Sequence, residues 1–319
     1  MSNVFLSEDE GGNQVAVKLL NLSLEMDPQF RKRFQREAEI TQQLDHPSIV
    51  KTLSWRDDPE VGVYLVMEYV AGGNLRRLLE NLGEQRVEVF RVLTWFEPIC
   101  QALDYAHQQG VVHRDIKPEN LLFASEDTLK IADFGVARIE SGTRLTRTGV
   151  LPGTPEYMAP EQFSDQVAGP AADIYSLATV VYETLTGTTP FRSDNLAQVL
   201  QRQAFEKPQA PSEYRGDLPA YLDKVLLKAL EKKPEQRFAS AGEFFQALSQ
   251  PPSISLAARN SGSASGHDLP TRQVVWHDTV AKSAKKSPPW EWALVVFTLA
   301  ALLWVWRWFP GPTPPDWLG

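Results

Sequence analysis

Apolar and polar positions alternate from the first residues. Val15, Val17 and Leu19 are interleaved with Ala16 and Lys18, which predicts a half-buried strand. Gly11-Gly12-Asn13 supplies turn chemistry before it, and Val4-Phe5-Leu6 supplies a hairpin partner. The period then changes. In QFRKRFQREAEITQQLDHP, Phe30, Phe34, Glu37, Ile40 or Thr41, and Leu44 recur at spacings of three and four, which predicts a helix. Glu37 falls on its apolar stripe. A carboxylate turned toward a core needs a cation, and Lys18 on the preceding strand is the natural partner. On pattern alone, a Glu37 that reaches water at the edge of the stripe fits as well.

Further on, VYLVMEYVAGGNL (residues 63–75) is an apolar strand run ended by a Gly-Gly break. FRVLTWFEPICQALDYAHQQG carries helical spacing, a stop at Gly110 and an internal Pro98 that predicts a kink. DIYSLATVVYETLTG reads as a strongly apolar helix.

Composition divides the chain. Of nine tryptophans, six lie from Trp290 onward. Residues 1–249 read as globular, 250–289 as a flexible linker rich in Ser, Pro, Gly and Ala, and 290–309 as a span of WEWALVVFTLAALLWVWRWF, followed by a Pro-rich tail at 310–319. The net charge of −8 argues against nucleic acid as a partner. Cys100 is the single cysteine, so no intramolecular disulfide forms, and a small buried hydrophobe is its simplest role.

The chemistry concentrates in VVHRDIKPENLLF (111–123) and LKIADFGVAR (129–138). Transfer of a phosphoryl group needs hard oxygen ligands for a divalent metal, which Asn120 and Asp133 can supply. It needs a proton acceptor, Asp115, and a cation on the moving phosphate, Lys117. With GTPEYMAPE (153–161) and PEQRF (234–238) following in order, the chain resembles the bacterial Hanks-type (eukaryotic-like) serine/threonine protein kinases over roughly residues 2–249.

That resemblance implies an α+β, bilobal fold: a small β-rich lobe at about 1–69 that lacks its first strand, and a larger helical lobe at about 70–249. It implies ATP with Mg2+, or Mn2+ in its place, and protein substrates bearing Ser or Thr. Asp115 becomes the base, with Lys117 beside it, and Lys18 pairs with Glu37 to orient the phosphates. The stretch 63–75 becomes the hinge, with Met67 as gatekeeper and backbone groups of Glu68 and Val70 facing adenine. Ala16 and Leu122 would sandwich the base, and Val4 would roof it. Asp173 resembles the aspartate that braces the catalytic loop, while Ala178 stands where the family usually has glycine. Arg237 and Glu161 resemble a buried structural pair. Arg114 before the base implies an activation segment ordered by phosphate, with Thr146 and Thr148 as acceptors and Thr143 and Ser141 as rivals.

MSNVF fits the tail of a glycine-rich phosphate loop, with Met1 and Ser2 on its last positions. The expectation is a chain whose start falls inside that loop, through a start assigned at an internal methionine or, less economically, a gene truly shortened. A scaffold that binds partners without turnover is the rival function this raises. A small-molecule kinase is a second rival, weakened by the resemblance of GTPEYMAPE to a peptide-docking segment. Residues 290–309 are long enough for a transmembrane helix, with Trp at both ends. Lys282, Lys285 and Lys286 precede it against Arg307 beyond, which predicts a cytoplasmic kinase domain and a single-pass membrane protein. Self-association for phosphorylation in trans completes the expected partners.

Overall fold

The computed structural model describes residues 3–19, 35–36, 38–58, 61–83, 85–134, 154–163 and 168–250. Met1, Ser2, Phe30, Phe34, Glu37, Ser141, Thr143, Thr146, Thr148, the linker and residues 290–309 lie outside the described residues. No helix among the described residues is long and apolar enough to cross a membrane.

The amino-terminal part is an antiparallel sheet of four strands, β1 (Asn3–Glu8), β2 (Gln14–Leu19), β3 (Thr52–Asp58) and β4 (Gly62–Glu68), in the order β1-β2-β4-β3. The expected hairpin forms, with Leu6 opposite Ala16 and Glu8 opposite Gln14. Asp9 closes its turn by accepting the amides of Gly11 (2.9 Å) and Asn13 (2.8 Å). β2 differs from the half-buried strand predicted, because both of its faces are covered. Val15 is buried on one face, and Lys18 with Ala16 turns inward on the other. Residues 35–36 and 38–42 are helical, and Ala38, Thr41 and Leu44 are buried while Ile40 is exposed. Of the two alternatives at that turn, Thr41 continues the inner stripe.

The remaining described residues are mainly helical, apart from one hairpin, β5 (Leu121–Ser125) with β6 (Thr128–Ile131). The helices used below are α1 (Leu75–Leu82), α2 (Val89–Gln108), α3 (Pro170–Thr186), α4 (Leu196–Phe205), α5 (Pro211–Tyr214), α6 (Ala220–Ala229) and α7 (Ala241–Ser249). α2 and α3 carry the core, where Phe96, Ile99, Leu103, Tyr175 and Tyr182 are fully buried. α2 runs uninterrupted through Pro98, and Gly110 follows it at φ 75°. Cys100 is buried in it, and the burial pushes its thiol pKa up, so it behaves as a small hydrophobe.

α3 is buried from Ala172 to Thr186. Its Ser and Thr hydroxyls would be costly there, at about 1–3 kcal/mol each if left unmet. Ser176, Thr179, Thr184 and Thr186 each donate to the carbonyl four residues back, at 2.8–3.0 Å. These four hydroxyls are therefore satisfied within the helix. Ala178 sits fully buried among them.

Two backbone joints tie the sheet to the helical part. Ile131 donates to the Ser48 carbonyl and Val50 to the Ile131 carbonyl, each at 2.8 Å. Gly72 donates to the Phe123 carbonyl at 3.1 Å, and a Cβ on Gly72 would meet that oxygen at 2.2 Å, so only glycine allows the approach. These joints set Leu122 and Asp133 against the sheet.

Candidate active site

The loop from His113 to Asn120 is held from below. Asp173, fully buried at the start of α3, accepts the amides of His113 (2.8 Å) and Arg114 (2.7 Å) and lies 2.8 Å from His107 Nε2. Arg114 adopts φ 66°, a strained value for a residue with a Cβ, and the Asp173 contact helps hold it there. The His113 ring donates through Nε2 to the Ala132 carbonyl at 2.8 Å and accepts the Asp115 amide at Nδ1, which fixes its tautomer. Its edge-to-face contact with Phe134, centroids 4.6 Å apart, adds a further constraint beside Asp133, which also sits at φ 66°.

This scaffold brings together the residues expected to do chemistry. Lys117 Nζ lies 2.7 Å from Asp115 Oδ2. Asn120 Nδ2 donates to the same oxygen (3.1 Å) and to the Asp115 carbonyl (2.8 Å). Asp115 Oδ1 carries no hydrogen bond among the described residues, which leaves one carboxylate oxygen to take a proton. Lys18 Nζ lies 2.8 Å from Asp133 Oδ1. Lys18 is thus paired across the cleft with Asp133. Glu37, its expected partner, lies outside the described residues.

The donor set fits a hard divalent cation. Both amide hydrogens of Asn120 go to Asp115, so its oxygen is the end left for a ligand, and Asp133 adds a partly exposed carboxylate. Among the described residues no cluster of three or more His, Cys, Asp or Glu forms a further metal site.

Around the expected adenine pocket, Met67 lies opposite Ala16 in the sheet, and Ala16, Met67, Val70 and Leu122 belong to one apolar cluster with Val50, Val63, Leu65 and Ala132. Val4 lies outside that cluster, with its side chain 57% exposed. Of the two backbone groups of Glu68, the amide is taken, donating to the Lys51 carbonyl (3.0 Å). Its carboxylate accepts the Lys51 amide (2.9 Å) and pairs with Lys130 (2.6 Å), because the chain crossing between the two parts needs fixing there. Val70 makes no backbone hydrogen bond among the described residues.

Arg237 and Glu161 form the expected buried pair at 2.6 and 2.8 Å. Arg114 Nη2 reaches the Ala168 carbonyl at 3.0 Å. A second polar network was not anticipated. Arg76 on α1 meets Glu119 (3.0 Å), Glu183 (2.8 Å) and the Tyr157 hydroxyl, which in turn donates to Glu183 at 2.6 Å. Burial, then the Glu183 carboxylate, raises the pKa of the Tyr157 hydroxyl and keeps it a donor. Glu119 and Tyr157 stand inside the motifs that pointed to the chemistry, yet only their spacing to Asp115 could have flagged them. These residues wall a cleft of about 460 Å³ with Thr154, Glu156 and Arg192, alongside the catalytic loop. Burial and the Glu183 carboxylate push the Glu156 pKa up.

A base held by a lysine and an asparagine, with a second aspartate across a cleft under a β-sheet, is the layout the sequence resemblance implied. The protein kinase domain profile matches residues 1–251. The chain belongs to the protein kinase domain family. The kinase domain is 39% identical to the serine/threonine-protein kinase PknB of Mycobacterium tuberculosis and 38% to PknB of Mycolicibacterium smegmatis, each match covering 76% of this chain and 40% of the relative. The chain thus spans about two fifths of the length of these curated relatives. A crystal structure of the Mycobacterium tuberculosis PknI kinase domain matches with a TM-score of 0.64 at 30% identity, covering 78% of this chain and 89% of that one. The kinase domain is therefore of the serine/threonine type, with a β-sheet lobe and a helical lobe.

Proposed function

We propose that this chain is a serine/threonine protein kinase that moves the γ-phosphate of ATP to Ser or Thr of proteins, anchored to a membrane by residues 290–309. The observation that carries the catalytic part is the arrangement of Asp115, Lys117 and Asn120 opposite the Lys18–Asp133 pair. Bound Mg2+ would supply charge neutralisation on the ATP phosphates, held by Asp133 and Asn120. Asp115 orients the acceptor hydroxyl and takes its proton at Oδ1, while Lys117 holds Oδ2 in place. Lys18 brings a buried positive charge to the phosphates.

Regulation in this reading runs through the segment between Asp133 and Glu161. A phosphate on Thr146 or Thr148 gives Arg114 an anionic partner and orders the segment, and a second copy of the kinase is its donor. Cleavage in the linker at 250–289 then releases a soluble kinase from membranes.

The test is transfer of labelled phosphate from Mg-ATP to casein by the full chain. Incorporation that disappears in Asp115→Asn supports the reading. No incorporation by the wild-type chain, with ATP still bound, points instead to a scaffold without turnover.

A further inference from the structure

We propose that Gln203 is a positioning residue for the protein substrate, acting through the turn at Pro155–Tyr157. Gln203 lies on α4 with no exposed surface. Its Nε2 donates to the carbonyls of Pro155 (2.7 Å) and Glu156 (2.8 Å), so both amide hydrogens grip consecutive residues of one turn. The reverse orientation of the amide would set Oε1 against both carbonyl oxygens, so the donor end is fixed by the geometry. Its Oε1 is buried without a hydrogen-bond partner among the described residues. An unmet acceptor weakens a fold, and a leucine would fill the same space without one. The benefit of glutamine lies in what it holds.

The turn has two sides. Its carbonyls face α4, while Thr154, Glu156 and Tyr157 line the cleft beside Glu119, four residues beyond Asp115. The turn's own hydrogen bonds are few, a long one from Tyr157 to Thr154 at 3.4 Å and an ordinary one from Met158 to Pro155 at 3.1 Å. Pro155 has no amide to add. Gln203 therefore sets the backbone of the cleft wall on the acceptor side, while the Tyr157 hydroxyl on Glu183 fixes its side chain. It makes no contact with Lys18, Asn120 or Asp133, the residues assigned to nucleotide and metal. The expected effect falls on the polypeptide and leaves ATP alone.

This inference rests on the kinase reading, and the experiment separates the two. Gln203→Leu and Gln203→His are compared with wild type in the full chain, using casein as acceptor. Gln203→Leu raises the KM for casein roughly tenfold while the KM for ATP stays within about twofold. Gln203→His, which returns one N–H donor, recovers part of the loss. Amide exchange at Tyr157 and Met158 accelerates in Gln203→Leu with the melting temperature unchanged, a readout that needs no turnover. An unchanged casein KM with unchanged exchange overturns the proposal, as does an equal fall in every kinetic constant with a lower melting temperature. A wild-type chain that transfers no phosphate defeats the kinase reading alone, and the exchange result then decides Gln203.

Discussion

Lys18 and Asp133 stand 2.8 Å apart, one on β2 of the sheet and the other just after β6 in the helical part. Lys18 is 5% exposed, so its charge is removed from water and answered by that carboxylate. The same pair sits where ATP phosphates and a divalent cation would compete for the two groups. Lys18→Met should lower phosphate transfer by roughly 10²–10³-fold, the usual effect of removing one preorganised charge. The check is steady-state transfer to casein beside circular dichroism. A variant as active as wild type would show that the pair is only structural.

Asp115→Asn keeps the shape of the side chain and its contacts on one side, but removes the acceptor of the hydroxyl proton. Loss of a general base is expected to slow transfer by about 10²–10⁴-fold. Nucleotide affinity, measured by calorimetry, should stay near wild type, because neither Lys18 nor Asp133 is touched. Weakened affinity to the same degree as the rate would move Asp115 from chemistry to binding.

The motif residues were legible because the chemistry demands their types at fixed spacing. Asp115, Lys117 and Asn120 converge within one turn, and no tertiary information is needed to group them. The β1–β2 hairpin and α2 were legible from periodicity and turn chemistry. β2 was read as half-buried because Lys18 counts as polar in any pattern, and its burial depends on Asp133, 115 positions away. The hinge behaves similarly: that the Glu68 amide is taken depends on a strand neighbour, Lys51, and not on local sequence. Nothing in the local sequence marks Arg76, Glu183 or Gln203. Each looks like an ordinary polar helix position until the fold places it against a motif residue.

Lys232 gives a pH test of the helical lobe. Its ammonium lies 3.9 Å from the centre of the Phe191 ring and near Arg237. Burial, then the Arg237 charge, pulls its pKa from 10.5 to about 8. The unfolded chain therefore holds more protons than the folded one between those values, and stability rises with pH across that window. Below pH 8 the full burial penalty is present. Lys232→Met should melt above wild type at pH 7, with the margin closing as pH rises from about 8 toward 10.5. Partial exposure of the side chain keeps the margin small. A difference that does not change with pH would place the effect in packing.

Arg237 and Glu161 offer the sharpest stability test, because every donor of the guanidinium is accounted for. Nε donates to the Glu231 carbonyl (2.8 Å), Nη1 to Glu161 and the Ala171 carbonyl (2.6 and 2.8 Å), and Nη2 to Glu161 and the Lys232 carbonyl (2.8 and 3.0 Å). The group also lies over the Tyr175 ring at 4.9 Å. A lysine can reproduce neither the fork nor the stacking, so Arg237→Lys is not conservative here. Arg237→Met leaves the Glu161 carboxylate buried without its cation, and breaking a buried pair in that way costs about 3–5 kcal/mol. The double change Arg237→Met with Glu161→Met removes the orphaned charge as well, and should be less destabilised than Arg237→Met alone. Urea unfolding at pH 7 measures all three. Additive losses in the double variant would mean that the two residues act separately, and that the segment ending at Glu161 is held by something other than this pair.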